Sequence, residues 1–473
     1  MKLLRRILDG DSWLVAACII FLVLVAPHLP SIPYLDGNID FVQAYDFYSG
    51  GFTQLAAHWG SLHPPLKTFL VSSIFGVFGM HTWTYTVVGI VFGIVGIAAM
   101  YWFTRALFGR RTAAVAGVLL GTCPLFLSVG IFSLTDYLLT VWVLFVLLTY
   151  IRGHYIWCGL LLLFSVLTKE TALLLPVSIL VVEVCIFIME RRITRRLVPL
   201  LPVFISFFVY ACWSWYLHSI GQRPWSDWIF TETANKGATF TIINNLITGT
   251  FINAYAKENW LHLFVLNYMW VYTVFAVSGG IWLLIRVLSR KSKRLLEVIV
   301  DKRTHALCVY LLFGFLYTIS VLSFQTYTIP RYVLPVVPLI LLLASRSIST
   351  VARRWRRLRI PFIVLFFCIG VLALYSSTDP LSRAIWGDTT WMGQRLYNLK
   401  DHLSGNDGIT YNLQYLAIVQ ERSRLISRAQ IEGNSIISGD CYFLFPDPNN
   451  EKIMLSILSL DRIPKNRWCI GPY

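Results

Sequence analysis

Asp36, Asp40 and Asp46, then His63 and Lys67, Asp136, Lys169 and Glu170, and finally Arg331 are charged or titratable side chains set at the margins of long apolar runs. Such groups are costly near a bilayer and point to function unless they serve topology. Asp36 and Asp40 lie four apart and share a face if their segment is helical. Two carboxylates held together suit general-base work or a divalent cation. The plainer reading makes Asp36 the N-cap of a solvated helix. His63 sits in LHPPL, where two prolines force a rigid, extended turn. That turn either holds the imidazole against a phosphate or metal, or is a simple surface turn. Asp136, in SLTDYLL, is either a second carboxylate facing the same site or a helix cap competing with Thr135. Lys169 and Glu170 interrupt LLLFSVLTKETALLLP; they either snorkel to the headgroups or, through the lysine, present a point charge to a phosphate. Arg331, beside Tyr332 in TYTIPRYVLP, has the same two readings, with bidentate phosphate binding as the functional one.

The elements that must position these groups are membrane helices. Of the 473 residues 56% are hydrophobic and only 14% charged, against roughly 25% charged in soluble domains. Apolar runs of about 18–20 residues recur along the chain, the length that crosses a hydrocarbon core of about 30 Å. The runs are continuous rather than alternating, which selects helices over a barrel. About eleven transmembrane helices are predicted, at 13–30, 82–104, 112–131, 136–151, 154–168, 171–189, 198–218, 261–285, 306–324, 332–346 and 360–376. No cleavable leader is evident, and the first run reads as an anchor.

The net charge of +16 would suggest nucleic acid in a soluble protein. Here the basic residues cluster in every second short loop: Lys2, Arg5 and Arg6; Arg105, Arg110 and Arg111; Arg152; the arginines of ERRITRR; and the stretches 286–303 and 346–359. The intervening loops hold only Lys67, Lys169, Arg223, Lys236, Lys257 and Arg331. This is the positive-inside pattern, so nucleic-acid binding is set aside, the N-terminus is expected in the cytoplasm and the C-terminal tail outside. All the candidate groups then fall at one depth on the outer face.

The expected architecture is an all-α polytopic membrane domain over 1–376 and a small mixed α/β extracytoplasmic domain over 377–473. The first outer loop, 31–81, ends in the amphipathic piece LKTFLVSSIFGVFG, expected along the interface. The second, 219–260, is rich in Trp and Asn and suits headgroup depth. Cys18, Cys123, Cys158, Cys185, Cys212, Cys308 and Cys368 lie in apolar runs and read as small buried hydrophobes. Cys441 and Cys469 lie in the tail, where an oxidising compartment would allow a disulfide.

Several motifs occur in a telling order. Asp36 is followed by Gly50–Gly51, then His63-Pro64-Pro65-Leu66, the turn RALFGRRTAAVAG at 105–117, a CPLFLS stretch, Thr135-Asp136, LTKETALLLP at 167–176 and PRYVLPVVP at 330–338. Over residues 10–345 the chain resembles the GT-C membrane glycosyltransferases, the group containing protein O-mannosyltransferases and lipid A aminoarabinose transferases. The resemblance implies a GT-C-like fold and an inverting glycosyltransferase at the outer face. Its donor would be a polyprenyl-phosphate-linked sugar, and its acceptor a hydroxyl on a lipid, polysaccharide or protein. It makes Asp36 the base, with Asp40 as the candidate for a second carboxylate; Asp136, from its place at the same rim, is a further catalytic candidate. His63, Lys169, Arg331 and Tyr332 would lie at the donor phosphate, with Glu170 beside them. The family commonly has Asp-Glu where this chain has Asp36-Gly37, which leaves a divalent metal cofactor an open question. The compact size suits a bacterial inner membrane.

Two other classes compete. A polysaccharide ligase or polymerase shares the lipid-linked donor. A secondary transporter should show inverted repeats and charges near the bilayer midplane, whereas these charges sit at one rim.

Overall fold

The structure is a computed structural model. It describes residues 2–28, 36–57, 63–79, 82–131, 133–190, 197–219, 268–288, 302–324, 330–355 and 359–375, with a few positions between 244 and 266. The tail, and with it the expected 377–473 domain and Cys441 and Cys469, lies outside the described residues. So does almost all of the 219–260 loop.

The described residues form helices and no strand. In chain order these are α1 Lys2–Val25, α2 Asp36–Ala57, α3 Leu66–Phe78, α4 Thr82–Phe108, α5 Arg110–Gly121, α6 Pro124–Ile131, α7 Thr135–Arg152 and α8 Tyr155–Val166. After a 3-10 turn at Glu170–Leu173 come α9 Leu174–Glu190, α10 Leu197–Ser219, α11 Met269–Leu288 and α12 Lys302–Phe324. A second 3-10 segment, Pro330–Val336, leads into α13 Val337–Arg354 and α14 Arg359–Tyr375.

By length and composition seven described helices can cross a membrane, or eight if the bent pair α5–α6 is one span. The other expected spans coincide with shorter apolar stretches, Tyr155–Val166, Met269–Trp282 and Val364–Leu374. The expected third span is corrected. The run 112–131 is not a single straight helix but breaks by 55° between Gly121 and Pro124. Pro124 has no N–H to continue a helix and is at home as the first residue of a new one.

Helix α7 is the axis of the bundle: every residue except Phe145, Thr149 and Arg152 is buried. It packs on α4 and α8, and α13 packs on α11 and α5. The α4 seam explains the tight centre. Gly89 and Gly93 recur one turn apart, and Tyr137 of α7 donates its hydroxyl to the Gly89 carbonyl at 3.0 Å. A Cβ at Gly89 would lie 1.7 Å from the Gly130 carbonyl oxygen, and one at Gly93 2.1 Å from the Phe21 ring. Small residues at such crossings let backbones approach closely, as membrane helices require. The outside of the bundle is apolar, with Ile156, Phe208 and Trp215 exposed. Cys185, Cys212, Cys308 and Cys368 also lie on exposed faces, so the expectation that all seven span cysteines are buried holds only for Cys123 and Cys158, with Cys18 intermediate. A bilayer accepts apolar side chains on the outside as readily as the core does, which hydropathy alone cannot distinguish.

The first-loop elements α2 and α3 pack on one another, and α3 packs on α4. α3 buries Lys67, Thr68, Val71, Ser72 and Phe75. Within α2 the backbone kinks at Gly51, whose φ of +62° lies in the left-handed region that glycine enters without a Cβ penalty. At the opposite end of the bundle, Arg105 at the end of α4 pairs with Asp11 at 2.7 Å and lies over Trp102. Arg346 sits between the Phe108 and Trp282 rings.

Candidate active site

Three breaks in helical structure bring the candidate residues together at one end of the bundle. The first is the His63-Pro64-Pro65 turn before α3. The second lies between α8 and α9. The helix yields at Thr168, whose hydroxyl returns to the Phe164 carbonyl at 2.7 Å and accepts the Trp142 indole N–H at 3.1 Å. Lys169 is extended, at φ −155°. Pro176 cannot lie inside a helix that begins much earlier, so the following helix starts only at Leu174. The third break is Pro330–Val336, where Pro335 and then Pro338 hold back regular helix and leave Arg331 and Tyr332 in a tight turn. The first two breaks are tied directly, by the Leu66 N–H on the Leu167 carbonyl at 2.9 Å.

Asp136 is the hub. It lies in the first turn of α7, where the helix dipole favours an anion. No side chain caps this helix, so neither Thr135 nor Asp136 is spent as a cap. The turn before it is strained at Ser133, φ +45°, a region that costs a serine about 1–3 kcal/mol. Lys169 Nζ donates to Asp136 Oδ1 at 2.5 Å, and Arg331 Nε lies 3.5 Å from Oδ2. The Tyr317 hydroxyl of α12 faces Oδ1 at 3.5 Å. Both cations flank the Tyr332 ring, Lys169 Nζ at 4.6 Å and Arg331 Cζ at 5.1 Å from its centroid. Asp136 is 1% exposed, Lys169 4% and Arg331 2%, so neither cation is snorkelling away from the protein.

Two further pairs surround the hub. His63 Nδ1 meets Glu170 Oε2 at 3.0 Å, which joins the first loop to the α8–α9 break. Lys67 donates to Asp40 in a buried pair between α3 and α2. Burying charges is costly unless each is paired; Asp40 faces the Lys67 ammonium and Glu170 the His63 imidazole.

The structure thus gathers Asp136, Lys169, Arg331 and Tyr332, with Glu170 beside Lys169 and His63 on Glu170. Asp40 lies one helical turn beyond Asp36 on α2, and its partner is Lys67. Asp36 is the first residue of α2, and its side chain lies outside the described residues. Asp46 is buried on the same helix. Sequence reasoning assigned no role to Tyr317, nor to the Trp142–Thr168 bond that sets the α8–α9 break. Lys67 was visible as an ionisable residue in an outer loop, yet nothing in the sequence named its partner.

Residues 62–234 match the family model described as dolichyl-phosphate-mannose-protein mannosyltransferase. That stretch contains His63, Lys67, Asp136, Lys169 and Glu170. No curated protein matches over its sequence. Among solved structures, an oligosaccharyltransferase from Archaeoglobus fulgidus, tethered to an acceptor peptide, is similar at TM-score 0.50 and 14% identity; the match covers 76% of this chain and 54% of that one. ArnT from Cupriavidus metallidurans, bound to undecaprenyl phosphate, matches at TM-score 0.49 and 18% identity over 75% of this chain and 63% of its own. The chain therefore spans less than two thirds of the length of these relatives. The family match and the archaeal fold bear out the resemblance to the GT-C membrane glycosyltransferases carried by the motifs.

Proposed function

We propose that this chain is an inverting glycosyltransferase that moves a sugar from a polyprenyl-phosphate donor to an acceptor hydroxyl at the outer face of the membrane. The observation that carries this reading is the buried Lys169–Asp136–Arg331 hub. Two cations held rigidly at one end of a membrane bundle suit the phosphate of a lipid whose chain stays in the bilayer. In support, the dolichyl-phosphate-mannose family match covers the stretch that supplies Lys169, and the positive-inside bias favours this end as the outer one.

In this mechanism Asp36 accepts the proton of the acceptor hydroxyl. The oxygen attacks the anomeric carbon from the face opposite the phosphate, and configuration inverts. The bond between that carbon and the phosphate oxygen breaks, and its electron pair stays on the phosphate. Lys169 and Arg331 stabilise the charge that develops there, the kind of term that usually contributes most to such a reaction. His63, oriented by Glu170, adds a third group at the phosphate, and Tyr332 spaces the two cations. Asp40 orients Lys67.

A divalent metal does not fit the described carboxylates. Asp40 faces Lys67, Asp136 faces Lys169 and Arg331, and Glu170 faces the His63 imidazole, and among the described residues no three His, Cys, Asp or Glu side chains converge. The lipid is presented by a bacterial plasma membrane, with the N-terminus cytoplasmic and residues 377–473 beside the acceptor.

The test is transfer from a panel of synthetic polyprenyl-phosphate sugars by purified protein in nanodiscs, with and without a chelator. Release of free polyprenyl phosphate from one donor is expected, and the chelator arm decides whether a divalent metal takes part. No release from any donor, with folded protein and an extract supplying acceptors, would reject the reading.

A further inference from the structure

Transfer changes the charge of the lipid. The donor is a phosphodiester with a single negative charge. Once the bond to the anomeric carbon has broken, the lipid leaves as a phosphate monoester, about −1.5 to −2 at neutral pH. The acceptor's proton has gone to Asp36, not to the phosphate. A subsite built of cations alone would hold this product more tightly than the donor, and turnover would stall at release, a step that often limits kcat.

The hub is not built of cations alone. Asp136 divides its carboxylate between them, Oδ1 to Lys169 at 2.5 Å and Oδ2 to Arg331 at 3.5 Å. All three groups are buried, so water and salt screen their fields weakly. The trio carries one net positive charge. The neighbouring pairs, His63 with Glu170 and Lys67 with Asp40, set a carboxylate against each of these two further basic groups. We infer that Asp136 is a charge-setting positioning residue. It holds the phosphate subsite one unit less positive than its two cations would make it, matched to the phosphodiester donor and not to the monoester product. This rests on the donor site proposed above. Removing the carboxylate adds one unit of positive charge whatever the protonation of His63.

The experiment is equilibrium binding, in nanodiscs, of two probes to the full chain: undecaprenyl phosphate, a monoester, and its methyl diester. Relative to wild type, Asp136→Asn should shift the preference toward the monoester by about tenfold, the order expected from one unit of charge a few ångströms away in a partly screened site. Asp136→Glu should restore the wild-type ratio, which a simple packing role would not require. Lys169→Gln should shift the preference the other way, toward the diester, and keeps the inference testable if Asp136→Asn fails to fold. In turnover, Asp136→Asn should be inhibited by added undecaprenyl phosphate at lower concentration than wild type. Both lipids bound with an unchanged ratio in Asp136→Asn and Lys169→Gln overturns the inference and leaves the donor site standing. Failure of wild type to bind either lipid overturns the donor site itself.

Discussion

Arg331 shows how a side chain with two plausible fates in the sequence acquires one in the fold. It is 2% exposed and lies 3.5 Å from Asp136, so its guanidinium is held rather than free to reach the headgroups. If it holds the donor phosphate, Arg331→Ala should weaken donor binding by about 10- to 100-fold, the equivalent of a charge-assisted hydrogen bond. Acceptor KM should stay near wild type; equal losses for donor and acceptor would assign Arg331 to structure alone. Asp36→Asn should lower kcat by about 10²- to 10⁴-fold, the range for a positioned base, with donor affinity retained. Wild-type turnover in that variant would remove Asp36 from the base role. The hub was partly legible beforehand because Asp136, Lys169 and Arg331 are charges in apolar surroundings, which a sequence displays directly. Tyr317 was not, since it is one of 23 tyrosines and its meaning lies in a contact 181 residues away. Asp40 and Lys67 were visible separately, but their pairing depends on how α2 folds back on α3.

At the scale of elements, backbone constraints decide where the site forms. Prolines at 124, 176, 330, 335 and 338 set helix starts, and the last four shape the turns that carry Lys169, Glu170, Arg331 and Tyr332. Helix positions followed from hydropathy, whereas the α5–α6 break did not, because a hydropathy sum is blind to the missing N–H of Pro124. The glycine seam of α4 was equally silent: glycine in a membrane helix becomes informative only when its neighbour is known. Gly89→Ala tests it. A methyl group 1.7 Å from the Gly130 carbonyl oxygen must push α4 and α6 apart. It should destabilise the fold by about 1–3 kcal/mol or more, the cost of overpacking, seen as a lower melting temperature in detergent. An unchanged melting temperature would mean that the α4–α6 crossing is looser than described. Gly280, with nothing near its Cβ position, is the control, and Gly280→Ala should leave the melting temperature close to wild type.

For the whole molecule, the charges do two jobs at two ends. Arg105, Arg152 and Arg346 stack on rings at one end, where two of them flank the Trp102 ring. The paired charges of the hub lie at the other. Charge counting along the sequence predicts a difference between the two ends, since loop composition needs no tertiary information, and labelling tests which end faces outside. In a background with the nine native cysteines replaced, a single cysteine at position 61, beside the His63 turn, should react with a membrane-impermeant maleimide from outside intact cells, while one at position 110 should not. The reverse labelling would invert the topology and remove the outer-face site.

The most direct test of the central claim is release of free polyprenyl phosphate from a matched polyprenyl-phosphate sugar, by wild type and Asp36→Asn side by side in nanodiscs. Release by wild type and, at a rate at least about a hundredfold lower, by the variant, with the donor still bound by both, is the predicted result. Equal release by both proteins, or donor bound by wild type and never cleaved in the presence of acceptor, would contradict it.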